Sequence, residues 1–407
     1  SDLFNVAASR SAKSPRDNPA FRGFARLRQS LRLVIKASDK LERQILAAGI
    51  LSDRAIHALF DAGKLASGRA LDADQIQPAS LDLRLGARAY RVRASFLPGP
   101  SARVEDKLAR LSMHEIDLSD GAVLETGCVY MVQLLESLAL PPEISASANP
   151  KSSTGRLDIF TRVMTDYGQE FDKIAPGYTG PLWLEVSPRT FPIVARTGSR
   201  LSQIRFRQGH AVLGEDELSA LHRAETLVAS ETPNVSGGGI ALSIDLMGQG
   251  DDALIGYRGK HHTAVVDVDK RAAQDVFDFW EPLYNRGSAD LILDPDEFYI
   301  LVSRESVHVP PLYAAEMTPF DPLVGEFRVH YAGFFDPGFG HTDAGGAGSR
   351  AVLEVRSHEV PFILEHGQIV GRLIYERMLE RPAALYGSGL GSNYQAQGLK
   401  LSKHFRT

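Results

Sequence analysis

Gln77-Pro78-Ala79-Ser80-Leu81-Asp82-Leu83-Arg84-Leu85-Gly86 returns later in the chain as Ala241-Leu242-Ser243-Ile244-Asp245-Leu246-Met247-Gly248. Further echoes follow in the same order. Leu134-Leu135-Glu136-Ser137-Leu138-Ala139-Leu140-Pro141-Pro142 is matched by Val302 to Pro311. Ile174-Ala175-Pro176-Gly177-Tyr178 is matched by Phe335-Asp336-Pro337-Gly338-Phe339, and Leu184-Glu185-Val186 by Leu353-Glu354-Val355. Thr197 to Leu201 is matched by Glu365 to Ile369. An ordered set of echoes marks a tandem duplication, with halves of about 160–170 residues, each the size of one domain. Thr232-Pro233 and Ser236-Gly237-Gly238-Gly239 read as the linker. The expected division is an N-terminal arm and helix over 1–48, a first barrel over 49–230 and a second over 231–407.

Within each half the pattern is mostly β. Short apolar or alternating runs lie at Cys128–Leu135, Pro181–Val186, Phe191–Ala195 and Leu201–Phe206. Others lie at Glu297–Ser303, Glu326–Phe335, Ala351–Val355 and Val360–Leu364, with Gly and Pro between them. Many short strands and few helices predict a sandwich or barrel rather than a βαβ fold. Three helices are expected. One runs from Phe21 to about Gly49, its basic side chains forming a solvated face. A second is capped by Ser52 and ended by Gly63. A third is capped by Asp269 and stopped by Pro282, with Ala273, Val276, Phe277 and Trp280 as its apolar stripe.

Composition narrows the function. The 407 residues are 43% hydrophobic and 23% charged, ordinary for a chain with a sizeable core. A net charge of -5 offers no general basic field for nucleic acid. No apolar run reaches the length of a membrane span, and Ser1 to Asn18 lacks the apolar core of a secretory signal. The single cysteine, Cys128, fits a reducing cytoplasm and is expected in the core. It also excludes a thiolate-ligated zinc site, which needs at least two thiols. His261, His262 and His341 lack the spacing of a metal triad and read as surface histidines.

The sharpest polar cluster is Lys151-Ser152-Ser153-Thr154-Gly155-Arg156. Paired hydroxyls between cations suit a polyphosphate, although alone the motif is weak, since Lys-Ser-Ser occurs in many solvated turns. Glu185, between Leu184 and Val186, is either the solvent face of a strand or a buried acid with its pKa raised for proton transfer. Glu354 invites the same two readings. The stretch Tyr386 to Gly398 is rich in Gly, Ser, Asn and Gln and reads as a lid over an anionic ligand or as a loose tail.

Taken together, Gln77 to Gly86, Lys151 to Arg156, Ile174 to Val186 and Tyr386 to Lys403 resemble the bacterial dCTP deaminases of the dUTPase-like superfamily, in a duplicated, long form. The resemblance covers roughly residues 50–407. It implies two tandem distorted β-barrels of the β-clip type, a homo-oligomer, and active sites built between neighbouring barrels. It implies hydrolysis of dCTP to dUTP and ammonia without zinc, with Mg²⁺ accompanying the triphosphate. Ser152, Ser153 and Arg156 match the family's phosphate-side motif, with Lys151 where the family usually has Arg. Glu185 matches the catalytic glutamate and Glu354 is its counterpart. Tyr386 and Gln397 match lid contacts to the nucleotide, and Asn393 falls where the family has Lys. Ser152 and Arg156 would orient water near the pyrimidine or bind phosphate.

The halves depart from that pattern in opposite ways. The first keeps Ser-Ser-x-x-x-Arg but has Ala175 where the family has Asp, and carries extra residues between Arg156 and Ile174. The second keeps Asp336-Pro337-Gly338 and Glu354, but Met317 to Phe327 has no Ser-Ser pair. Two arrangements follow: a composite site shared by both barrels, or a complete first half with Glu185 and a structural second half. The alternatives in function are a dUTP pyrophosphatase or bifunctional enzyme using Asp336, and a non-catalytic nucleotide sensor.

Overall fold

The computed structural model describes residues 48–230, 232–248, 253–319, 327–330, 333–387 and 398–406. The expected helix from Phe21 lies almost wholly outside them. The helix after Ser52 forms as α1, Asp53–Asp61. Ser52 Oγ accepts the Ala55 N–H, and Ile56 and Leu59 face inward.

The first half is built on a 13-residue strand, β1 (Ser80–Val92), which contains the opening motif. Leu81, Leu83 and Leu85 alternate on one face and are fully buried. Asp82 and Arg84, on the other face, are buried too, so each needs a partner. Arg84 donates from Nε to Glu136 Oε1 at 2.9 Å, and Asp82 is ion-paired with Lys151. The next elements are β2 (Val129–Ala139), β3 (Ile144–Pro150), the single turn α2 (Ser152–Gly155) and β4 (Ile159–Thr165). Then come β5 (Thr179–Pro188) and β6 (Arg200–Gln208). The antiparallel order is β3-β6-β1-β2-β5-β4, one sheet curled round a core.

After α3 (Glu215–Ala224) the second half repeats this plan. Its strands are β7 (Gly239–Ser243), β8 (Phe298–Val307), β9 (Tyr313–Pro319), β10 (Phe327–His330), β11 (Ser349–Ser357) and β12 (Ile369–Arg377). β12 pairs with β7 and β9, as β6 pairs with β1 and β3. β11 pairs with β8 and β10, as β5 pairs with β2 and β4. In the first half the long β1 joins both groups of strands. Here β7 is only five residues long, so the strands divide into two five-stranded sheets over a separate core. The fold is mainly β and dUTPase-like, with few helices.

The expected helix between Asp269 and Pro282 is corrected to one turn, Val276–Phe279, capped by Asp275 rather than Asp269. Gln274–Asp275 instead pairs in parallel with Phe405–Arg406, and Trp280–Tyr284 is a strand against Leu254–Gly259. Phe277 of the supposed apolar stripe is 65% exposed. Cys128 is only half-buried, at the margin of the first core.

The halves are bolted together within one compact unit, 48–407. Val266–Asp267 of the second half adds a parallel strand to Ile193–Ala195 of the first. Phe191 meets Trp280, Phe279 and Phe405 edge-on, with ring centroids 5.2, 5.5 and 6.4 Å away. Burying each such ring contributes about 1.5–3 kcal/mol. Arg205 on β6 is fully buried and donates to Asp336 Oδ1 at 2.9 Å and to the Ala315 carbonyl at 3.0 Å. Arg207 reaches Glu316 and Glu376. No helix among the described residues is long and apolar enough to cross a membrane.

Candidate active site

A cavity of about 400 Å³ lies where the halves meet. From the first half it receives Lys151, Ser152, Ser153, Gly155 and Arg156 of the sequence-predicted cluster, but not Thr154. From the second it receives Asp336, Glu354 and Tyr386. Glu185 is not among its lining residues. Asn393 and Gln397 lie outside the described residues.

The basic, hydroxyl-rich turn is held by its own backbone. Thr154 and Gly155 donate to the Lys151 carbonyl and Arg156 to that of Ser152. From the far end of the chain, Ser402 Oγ donates to the Ser153 carbonyl at 2.8 Å, and the Lys400 carbonyl accepts Arg156 Nη1 at 2.9 Å. His404 anchors this C-terminal segment through its contact with the Val268 carbonyl. Burial pushes His404 down to about 4, so it packs as a neutral ring.

Glu354 sits mid-strand on β11, opposite Ile300 and His330 in register, and only 5% of it is exposed. Burial pushes its carboxyl up to about 8 against the opposing pull of Arg156, whose Nε lies 3.9 Å from Oε1. An acid poised near neutrality can both take and return a proton. Burial likewise raises Asp336 above the ordinary carboxylate range, against the Arg205 guanidinium.

The Asp336-Pro337-Gly338 turn also places Tyr386. Tyr386 N donates to the Pro337 carbonyl at 2.8 Å, and Gly338 has φ +96°. A Cβ there would lie 2.8 Å from Leu385 Cβ, so only glycine permits the approach.

Among the contributors that sequence reasoning did not single out are Asp82 and Lys403, which line the cavity, and Arg205, which holds Asp336. Asp82 lies inside the repeated motif, where an acid among alternating leucines was the available signal. Arg205 had no local signal, because its partners lie more than a hundred residues away. Lys403 lines the cavity, and burial followed by the charges of Lys151 and Arg271 lowers it to about 8. His261 and His341 each face a carboxylate, Glu297 and Glu225 respectively.

Two like barrels meeting at a buried carboxylate and a basic hydroxyl turn define a protein of the dUTPase-like superfamily. The model of the 2'-deoxycytidine 5'-triphosphate deaminase N-terminal domain matches residues 47–210, and that of the C-terminal domain matches residues 214–405. A "dCTP deaminase, dUMP-forming" from Beutenbergia cavernae is 32% identical over 158 residues, 39% of this chain and 78% of the relative. A "dCTP deaminase" from Shewanella amazonensis is 31% identical over 167 residues, 39% of this chain and 82% of the relative. The crystal structure of 2'-deoxycytidine 5'-triphosphate deaminase from Agrobacterium tumefaciens shares 78% identity at a TM-score of 0.81, covering 85% of this chain and all of that one. The chain belongs to the dCTP deaminase family.

Proposed function

We propose that the chain hydrolyses dCTP to dUTP and ammonia in the composite cavity between its barrels, with Glu354 as general acid and base. The observation that carries this reading is the Glu354 carboxyl, buried in that cavity beside Arg156 of the other half. The carboxylate takes a proton from water as the water oxygen bonds to C4 of the cytosine, and passes it to the ring nitrogen N3. It then takes the remaining proton from the new C4 hydroxyl and gives it to the amine, so that the C4–N4 bond breaks, ammonia leaves and the C4 carbonyl of uracil forms. Arg156 and Ser152 orient the water and balance charge near the ring, or hold phosphate. Lys151 and Ser153 bind on the phosphate side, and Tyr386, with Asn393 and Gln397 of the same segment, covers the nucleotide. Mg²⁺ travels with the triphosphate as part of the substrate. Under this reading the enzyme works in the cytoplasm as a homo-oligomer, each chain an N-terminal arm followed by two barrels.

A second activity is favoured by one feature. Asp336 lines the same cavity, where it can aim water at the α-phosphate and yield dUMP and pyrophosphate. One assay separates the readings: purified protein with Mg²⁺ and dCTP, following ammonia together with dUTP and dUMP. Ammonia with dUTP supports deamination alone, and ammonia with dUMP supports both steps. Tight binding without ammonia would refute deamination; pyrophosphate release from added dUTP would then mark a dUTP pyrophosphatase, and none would leave a nucleotide sensor.

A further inference from the structure

Glu185 is the positional counterpart of Glu354. It lies mid-strand on β5, opposite Met131 and Arg162 in register, as Glu354 lies opposite Ile300 and His330 on β11. The surroundings differ. Glu354 opens on the shared cavity, whereas Glu185 is 1% exposed and does not line it. Its Oε1 accepts two N–H groups from Arg162, from Nη2 at 2.7 Å and Nε at 3.0 Å. Its Oε2 is buried with no hydrogen-bond partner among the described residues, so the carboxylate depends on Arg162 for its charge balance.

Arg162 is itself held in place. Its guanidinium lies 3.6 Å from the Phe171 ring centroid and 4.8 Å from that of Phe160, and Nη2 also donates to Ser95 Oγ. Phe171 belongs to the extra residues that the first half carries between Arg156 and Ile174. Next to it Asp172, at φ +60°, accepts the Val163 N–H at 2.7 Å and pins that segment against β4.

We infer that Arg162 supplies from within the first barrel the guanidinium that a neighbouring barrel brings to Glu354, so that Glu185 is a structural ion pair and each chain carries a single nucleotide site. A general acid–base must reach water and substrate; the Glu185 carboxylate, 1% exposed and covered by a half-buried arginine, reaches neither. The inference rests on the reading of Glu354 as the working glutamate.

The test combines stoichiometry with a variant pair. Calorimetric titration of the full chain with Mg²⁺·dCTP should saturate at one nucleotide per chain. Arg162→Ala should lower Tm by about 3 °C or more, the scale of a broken buried pair in a chain this large, with kcat/KM changed less than about twofold. Arg162→Lys should recover part of the Tm while keeping the same kinetics, and it serves if the alanine variant does not fold. Two nucleotides bound per chain would overturn the inference, as would a tenfold loss of kcat/KM in folded Arg162→Lys. An unaltered protein that binds one nucleotide per chain but releases no ammonia would overturn the deaminase reading and leave the single-site count standing.

Discussion

Arg156 Nε lies 3.9 Å from Glu354 Oε1, and the two residues belong to opposite halves of a duplicated chain. Each half alone supplies only part of the cavity lining. The first brings the basic hydroxyl turn, and the second brings Glu354, Asp336 and Tyr386.

Replacing Arg156 tests the turn. A charge-assisted hydrogen bond contributes about 1.5–3 kcal/mol, so Arg156→Ala should weaken dCTP affinity or turnover at least about tenfold. Arg156→Lys restores charge without the fork and should recover only part of the loss. Binding and kcat for both variants, with Tm as a folding control, check this. Unchanged kinetics in folded Arg156→Ala would remove the phosphate-side assignment.

Glu354→Gln keeps the shape and ends proton transfer, so kcat should fall by about 10²–10⁴-fold. The same variant carries a pH signature. The folded-state pKa is raised to about 8 from the ordinary value of 4.5. The native state therefore keeps a proton that the unfolded chain gives up, and parent stability falls as pH rises from 4.5 towards 8. Glutamine does not titrate, so the stability of the variant relative to the parent should rise across that window. Urea melts at pH 5, 6.5 and 8 measure it; a difference constant with pH would contradict the buried acid.

Gly338→Ala should act at a distance from the chemistry. The added Cβ meets Leu385 and Tyr386 at a positive φ, so it displaces Tyr386 from the cavity. The expected result is a raised KM for dCTP with a smaller change in kcat. A variant with normal KM would show that Tyr386 does not cover the nucleotide.

The lone cysteine and the spacing of the histidines predict independence from zinc. Treatment with a transition-metal chelator, followed by Mg²⁺, should leave ammonia release intact. Stoichiometric zinc whose removal abolishes activity would sink the proton-transfer role given to Glu354 alone.

The duplication, the β class and the Lys151–Arg156 turn were legible because each is local. A repeat is visible as a repeat, alternation marks a strand, and a phosphate-type turn needs its hydroxyls and cations within a few residues. The helix placed between Asp269 and Pro282 failed for the opposite reason. Ala273, Val276, Phe277 and Trp280 have helical spacing, but Phe405–Arg406 comes back to pair with Gln274–Asp275 and leaves one helical turn. A strand partner so distant in sequence overrides local periodicity.

Sequence alone determined that the chain holds two copies of one barrel and that its basic, hydroxyl-rich run is a single local cluster. It left Glu185 and Glu354 equivalent, since Leu-Glu-Val on a central strand reads the same in both halves. Only the tertiary structure separated them. Packing enclosed Glu185 with Arg162 and Phe171, and it brought the cavity and Arg156 to Glu354. The proton affinity of Glu354 depends on its surroundings, and Arg156 reaches it from the other half of the chain.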